Sequence, residues 1–280
     1  MRRWAGTGSS WEIPSCPNTG CDRAPIRLKN DTPDESSCPK CNGPIYFADA
    51  LRLHERIEAD ESGFGIAAYV MNLLEHLAIV HVIRITLNIQ PALLSSILFI
   101  KDGPLAFFGN TAPLRLPMRE LAAYLMSRDP HGSQLLAVGV EKSGAFCEHA
   151  DQIAEKMPPG SVLIMSNDYV YRHIVPEDPD SPDAYGANTY WGNKLIFMAP
   201  DRNLYVASVP TGGYPRAPKP EDFSRLPEVL GVLARLRCSM YDNALIPVAL
   251  ANKLVSLSEY PSTRILQAFA TDALSGNAKE

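Results

Sequence analysis

Apolar positions along this chain follow two rhythms. One has spacings of three and four and marks helices, the other consists of short β-rich runs closed by turn residues, and the two alternate. From Ala67 onward, Val70, Leu73, Leu74, Leu77, Ala78 and Val82 recur at helical spacing, which predicts one long helix whose apolar face leaves Asn72, Glu75 and His76 off its centre. Ile97 to Ile100 is too short for a helix and rich in β-formers. It predicts a strand that stops at Asp102-Gly103-Pro104, with Asp102 at the rim of a sheet. Downstream the pattern predicts a helix over 116–128, a strand over 134–141, a helix over 146–157 closed by Pro158-Pro159-Gly160, and a strand over 161–165 that leads to Ser166-Asn167-Asp168 and a short helix. Strands over 194–199 and 204–209 flank Pro200-Asp201-Arg202-Asn203 as a hairpin. Helices over 227–237 and 263–274 and the apolar block ALIPVALANKLVSLS complete the chain. Regular alternation of this kind predicts an α/β fold.

Composition narrows the class. At 280 residues, 46% hydrophobic and 20% charged, the chain can bury a substantial core, and it divides into a small segment over 1–47 and a main domain over 48–280. A net charge of −5 argues against wrapping in nucleic acid through an overall field, so DNA contact would have to use a local patch. Met1 to Trp11 carries two arginines and no apolar core. Glu75, His76, His81, Arg84 and Pro91 interrupt the nearest rival to a membrane span, so a cytoplasmic protein without a membrane segment is expected.

Cys16-x4-Cys21 and Cys38-x2-Cys41 form two short hooks broken by Pro and Gly, a spacing that lets four thiolates close a tetrahedron around structural zinc with no open position for chemistry. A segment this small and polar has little core of its own, so the metal would supply its stability. Cys147 and Cys238 stand apart among apolar neighbours and read as small core residues.

Several blocks, in order, carry a resemblance: CPNTGC, CPKCNGPIYFADALRLHERI, VMNLLEHLAIVHVIR, FIKDGPLAFFG, VGVEKSGAFCEHA, MSNDYVYRHIVP, YGANTYWGNKLIFMA and YDNALIPVALANKLVSLS. In this order they resemble the NurA nuclease family in its form with a cysteine-rich insert. The resemblance implies a ribonuclease-H-like mixed sheet flanked by helices, Mn²⁺-dependent (or Mg²⁺-dependent) cleavage of DNA, a homodimer, and work beside a HerA-like hexameric ATPase. It makes Asp102 and Glu75 metal ligands and catalytic residues, with Lys142 offsetting charge on the phosphate. Asp168 is a further ligand candidate, with helix N-capping as its ordinary alternative. Arg172, Tyr190 and Asn252 are candidate DNA contacts, and Tyr185 and Trp191 could join Tyr190 in stacking on bases.

The sequence also departs from the family. An Asp-Gly-Ser block that precedes the cysteine insert in relatives is absent before Cys16, Asp49 is a carboxylate of unassigned role, and Asn252 stands where the family usually has histidine. Asparagine is a poorer metal ligand and no general base. Two other readings therefore stand beside the nuclease: an impaired family member kept as a scaffold, and a zinc-ribbon nucleic-acid-binding module without hydrolysis.

Overall fold

In the computed structural model, which describes residues 10–13, 15–29, 35–46, 49, 64–127, 135–175, 184–237 and 245–255, helix α1 (Phe64–Ile89) runs unbroken through Glu75, His76, His81 and Arg84. It ends where Pro91 disfavours a helical residue before it, and a 3-10 turn over Pro91–Ser96 delivers the chain into a strand. Glu75, His81 and Arg84 lie off its buried stripe and keep contact with water, whereas His76 lies within the stripe. Among the described residues it is the one helix long and apolar enough to cross a membrane. Leu73, His76, Ile79 and Ile83 are buried, whereas Met71, Leu74, Val82, Ile85 and Ile89 form an exposed apolar stripe.

Four short strands come first. β1 (Ser10–Ile13) pairs antiparallel with β2 (Ile26–Lys29), and β3 (Glu35–Ser37) with β4 (Pro44–Tyr46). They enclose a small cluster of Ile13, Cys16, Ile26, Cys38 and Ile45.

The main sheet contains β5 (Leu98–Asp102), β6 (Leu136–Glu141), β7 (Val162–Ile164), β8 (Gly192–Met198) and β9 (Leu204–Pro210) in the order β5-β6-β9-β8-β7. β5 and β6 are parallel and joined through α2 (Arg115–Ser127), as parallel neighbours require a crossover, while the remaining pairs are antiparallel. The expected hairpin is β8–β9. Other expected elements are α3 (Ala145–Ile153), α4 (Asn167–His173), α5 (Leu226–Arg235) and α6 (Ile246–Val255). The helix expected over 263–274, Cys238 and most of the acidic stretch 176–185 lie outside the described residues.

Side-chain alternation sends β5 to β9 into two cores. Leu136, Val138, Val140, Leu195, Tyr205 and Ala207 face α5 and α6. On the opposite face Phe99 and Ala137 meet α1 and α2, and Ile196 and Val206 meet α3. The result is an α/β protein with a mixed five-stranded sheet covered on both sides.

One backbone crossing positions the end of β5. Gly103 (φ +91°) turns the chain so that its N–H donates to Val140 O at 2.8 Å; Leu105 N then donates to Ser208 Oγ at 2.8 Å, and Trp191 N to Leu105 O at 2.9 Å. The crossing lies directly over Gly139, where a Cβ would sit 2.5 Å from Gly103 O and 2.7 Å from Leu105 N. Backbone on both sides leaves no flexible atom to yield. Gly139→Ala should therefore lower stability by about 2 kcal/mol or more in urea unfolding, a loss that Gly231→Ala, in open space on α5, should not reproduce.

Candidate functional site

Residues from distant blocks meet at the carboxyl ends of the parallel pair. Asp102, last in β5, accepts from Lys142 Nζ at 2.9 Å, just past the end of β6, and from Asn252 Nδ2 of α6 at 3.5 Å. The Asp102 and Lys142 side chains are 40% and 37% exposed. An ion pair so open to water contributes at most about 1 kcal/mol, so a phosphate or cation can separate the two.

On the other face of the sheet the pairs are closed. The register aligns Lys101 with Gly139, Gly139 with Ser208 and Ser208 with Lys194, a transverse row with a buried lysine at each end. Lys101 Nζ lies 3.0 Å from Glu75 Oε2 of α1 and donates to its neighbour's carbonyl, Asp102 O, at 3.1 Å. Its side chain is 4% exposed against 35% for Glu75. Lys194 Nζ donates to both oxygens of Glu141, at 2.7 and 2.8 Å, and sits 3.6 Å from the Phe146 ring centroid. Burial pulls the Lys194 ammonium below its ordinary range, and the facing Glu141 carboxylate opposes that shift.

Asp102 and Glu75, expected to share a cation, do not meet: Glu75 pairs with Lys101 on one face of the sheet, the Asp102 carboxylate pairs with Lys142 on the other, and Lys101 reaches only the main-chain carbonyl of Asp102. Asp102, Lys142 and Asn252 come together as the blocks implied. Asp168 and Arg172 do not join them, because they follow β7, the far edge strand, four strand spacings or about 19 Å from β5, and β7 runs opposite to β5. There they pair with each other at 3.2 Å on the surface of α4. Ser166 is the N-cap of that helix, accepting from Tyr169 N, so Asp168 is a first-turn acid rather than the cap. Tyr190 and Trp191 are buried at 5% and 1% exposure, which turns both from base-stacking surfaces into core residues. Asp49 Oδ2 accepts from Tyr46 N at 2.8 Å and closes the end of β4.

At the rim Asp102 offers a carboxylate of the kind a hard Mg²⁺ or Mn²⁺ cation takes, whereas Asn252 turns its N–H and not its oxygen toward it. A pair of such cations is not matched by the described residues. Among them the four cysteines are the one group of three or more acidic, histidine or thiol donors close enough to share an ion.

Lys101, Glu141, Lys194 and His76 are the site residues that sequence reasoning passed over. His76 follows Glu75 but lies inside the buried stripe, three residues from both Leu73 and Ile79, a spacing that could have placed it there. Its Nδ1 donates to Asn72 O at 2.8 Å and its ring centroid is 4.0 Å from that of Phe107, while Nε2 finds no partner. Burial, with Lys101 nearby, pulls its pKa down to about 4. The folded value lies below that of an unfolded histidine. The stability conferred by the neutral ring is therefore complete above the unfolded value and is lost as pH falls toward 4, about 3 kcal/mol in all. Urea midpoints measured at about pH 7 and about pH 4.5 should separate more in the wild type than in His76→Phe.

The cysteine cluster is a second centre. Cys16 Sγ and Cys41 Sγ are 3.8 Å apart, Cys21 Sγ and Cys38 Sγ 3.9 Å, and all four sulfurs lie within 4.8 Å of one another. Sulfurs at about 2.3 Å from a tetrahedral ion are about 3.8 Å apart, so the set fits zinc and is too open for disulfides. Asn18 Nδ2 and the Lys40 and Gly43 backbone N–H groups point at Cys16, Cys38 and Cys41 sulfurs, at 3.3, 3.5 and 3.4 Å, and would support thiolates. The Cys41 and Lys40 N–H groups hold the Cys38 thiol down at about 6. Elemental analysis should find a single zinc per chain, lost in Cys38→Ser and on acidification as the thiolates protonate.

Comparison with known proteins finds no matching family model, no matching curated protein and no matching solved structure.

Proposed function

We propose that this protein is a metal-dependent DNA nuclease of the NurA type, acting in the cytoplasm on DNA ends beside a HerA-like hexameric ATPase and as a dimer. The observation that carries the reading is convergence. Five of the blocks that resemble the family, spread along the chain from Glu75 to Asn252, send Glu75, Asp102, Glu141, Lys142, Lys194 and Asn252 to the same end of the sheet. A chance likeness in scattered blocks has no reason to assemble them. The parallel β5–β6 pair and the antiparallel β8–β9 hairpin are compatible with a ribonuclease-H-like sheet.

The residues divide the work by exposure. Asp102 presents its carboxylate at the open rim, where it would hold one cation, and Lys142, released from Asp102, donates to a non-bridging phosphate oxygen as charge builds on phosphorus. A bound divalent cation would supply a water of lowered pKa and positive charge at the phosphate. Lys101 fixes the backbone of Asp102, and the Gly103 turn keeps the carboxylate at the rim. The exposed stripe of α1 offers apolar area for a partner subunit.

The scaffold reading has its own observation, since Asp102 is balanced by Lys142 and Glu75 by Lys101, and Asn252 offers no general base. Degradation of end-labelled single-stranded and linear duplex DNA with Mn²⁺ separates the two. Asp102→Asn should abolish cleavage, and Lys142→Ala should slow it about 100-fold while folding is retained. DNA binding without cleavage, with Mn²⁺ or Mg²⁺ and with the ATPase present or absent, would leave the scaffold.

A further inference from the structure

We infer that the cysteine segment carries a phosphate-binding cleft of its own, which holds the backbone of a single polynucleotide strand with residues that take no part in the Asp102 rim. The inference goes beyond the nuclease reading and does not depend on hydrolysis. The cleft has a volume of about 520 Å³; the stretch from Arg23 to Arg27 lines one side, and Ser36, Ser37 and Pro39 line the other. It offers two guanidinium groups and two hydroxyls, and among the described residues no carboxylate lines it. Strand alternation accounts for part of this: Ile26 turns into the small core beside Ile13 and Ile45, so Arg27 turns out of it and is exposed.

The donors are available. Asp22, next to Arg23, pairs with Lys40 instead, and among the described residues the Arg23, Ser36 and Ser37 side chains have no hydrogen-bond partner. A guanidinium fork matches two phosphate oxygens at once, and serine hydroxyls can donate to those that remain. A chain of net charge −5 needs a local patch of this kind to hold a polyanion. Arginines spaced along an extended, exposed wall suit a strand lying in the cleft, whereas a single ion calls for a closed cradle.

The thiol cluster joins the two walls. Arg23 follows Cys21 by two residues and its carbonyl accepts from Cys16 N at 3.0 Å, while Ser37 and Pro39 flank Cys38. Cys21 Sγ and Cys38 Sγ lie 3.9 Å apart, so an ion held by the four sulfurs would fix the width of the cleft.

Fluorescence anisotropy of a labelled single-stranded oligonucleotide tests the inference on the zinc-loaded full chain, with no Mn²⁺ or Mg²⁺ added so that the strand stays intact. Arg23→Ala combined with Arg27→Ala should weaken binding about tenfold and lower the slope of log Kd against log salt by about 1.4, the counterion release of two phosphate contacts on a single strand. Arg27→Lys should keep the slope, because the charge remains. Elemental analysis should still find one zinc per chain in the arginine variants, which separates lost contacts from a lost fold. Cys38→Ser should lose the same increment of slope, and its retention there would overturn the dependence on the metal. Affinity and slope unchanged in the double arginine variant would overturn the inference while Mn²⁺-dependent cleavage, measured separately, keeps the nuclease reading. Displacement of the strand by inorganic phosphate at constant ionic strength, lost in the same variant, would assign the cleft to a free anion and overturn it as a strand site.

Discussion

A lysine taken out of water must be met by a carboxylate, and on one face of this sheet two are taken out of water in a single transverse row. Lys101 is met by Glu75 and Lys194 by Glu141. Removing one member of such a pair leaves an unmatched buried charge at a cost of about 3–5 kcal/mol, so each pair constrains its neighbours more strongly than an apolar contact would. Glu75 ties α1 to β5, and Glu141 ties β6 to β8 across β9. Between the lysines stand Gly139 and Ser208, the two residues that let the Asp102-Gly103-Pro104 segment cross the sheet. The crossing and the charge pairs are one construction, and Asp102 reaches the rim because of it.

The contrast in exposure gives the site its polarity. Inside, two ion pairs are shut and hold geometry; outside, the Asp102–Lys142 pair is open and held weakly enough for an anion or cation to part it. Exposure thus separates one pair that can open from two that stay closed. Asn252, arriving on α6, places its amide at that edge and ties the helix to the end of β5.

Much of this was legible from the order of residues. The β5 strand and its stop at Asp102-Gly103, the β8–β9 hairpin, the helices and the two cysteine hooks all follow from local periodicity and turn chemistry, which act over a few residues. Lys101 and Lys194 were not legible, because a lysine in a strand reads as a solvated side chain until the pairing order is known. The order β5-β6-β9-β8-β7 is what aligns them, and no local pattern encodes it. The same ignorance of strand order made Asp168 look like a ligand. It leaves an apolar run at a rim, as Asp102 does, but at the far edge of the sheet. His76 was misplaced for the opposite reason: its spacing marked it as buried, and its polarity argued against the spacing.

The cysteine segment has a core of its own, in which Cys16 and Cys38 make up much of the apolar contact with Ile13, Ile26 and Ile45. None of the three clusters packed on the main sheet draws on those residues. The two parts thus answer to different supplies. An appendage whose thiols went without an ion would lose the centre of its small core, while the three clusters on the sheet would keep theirs.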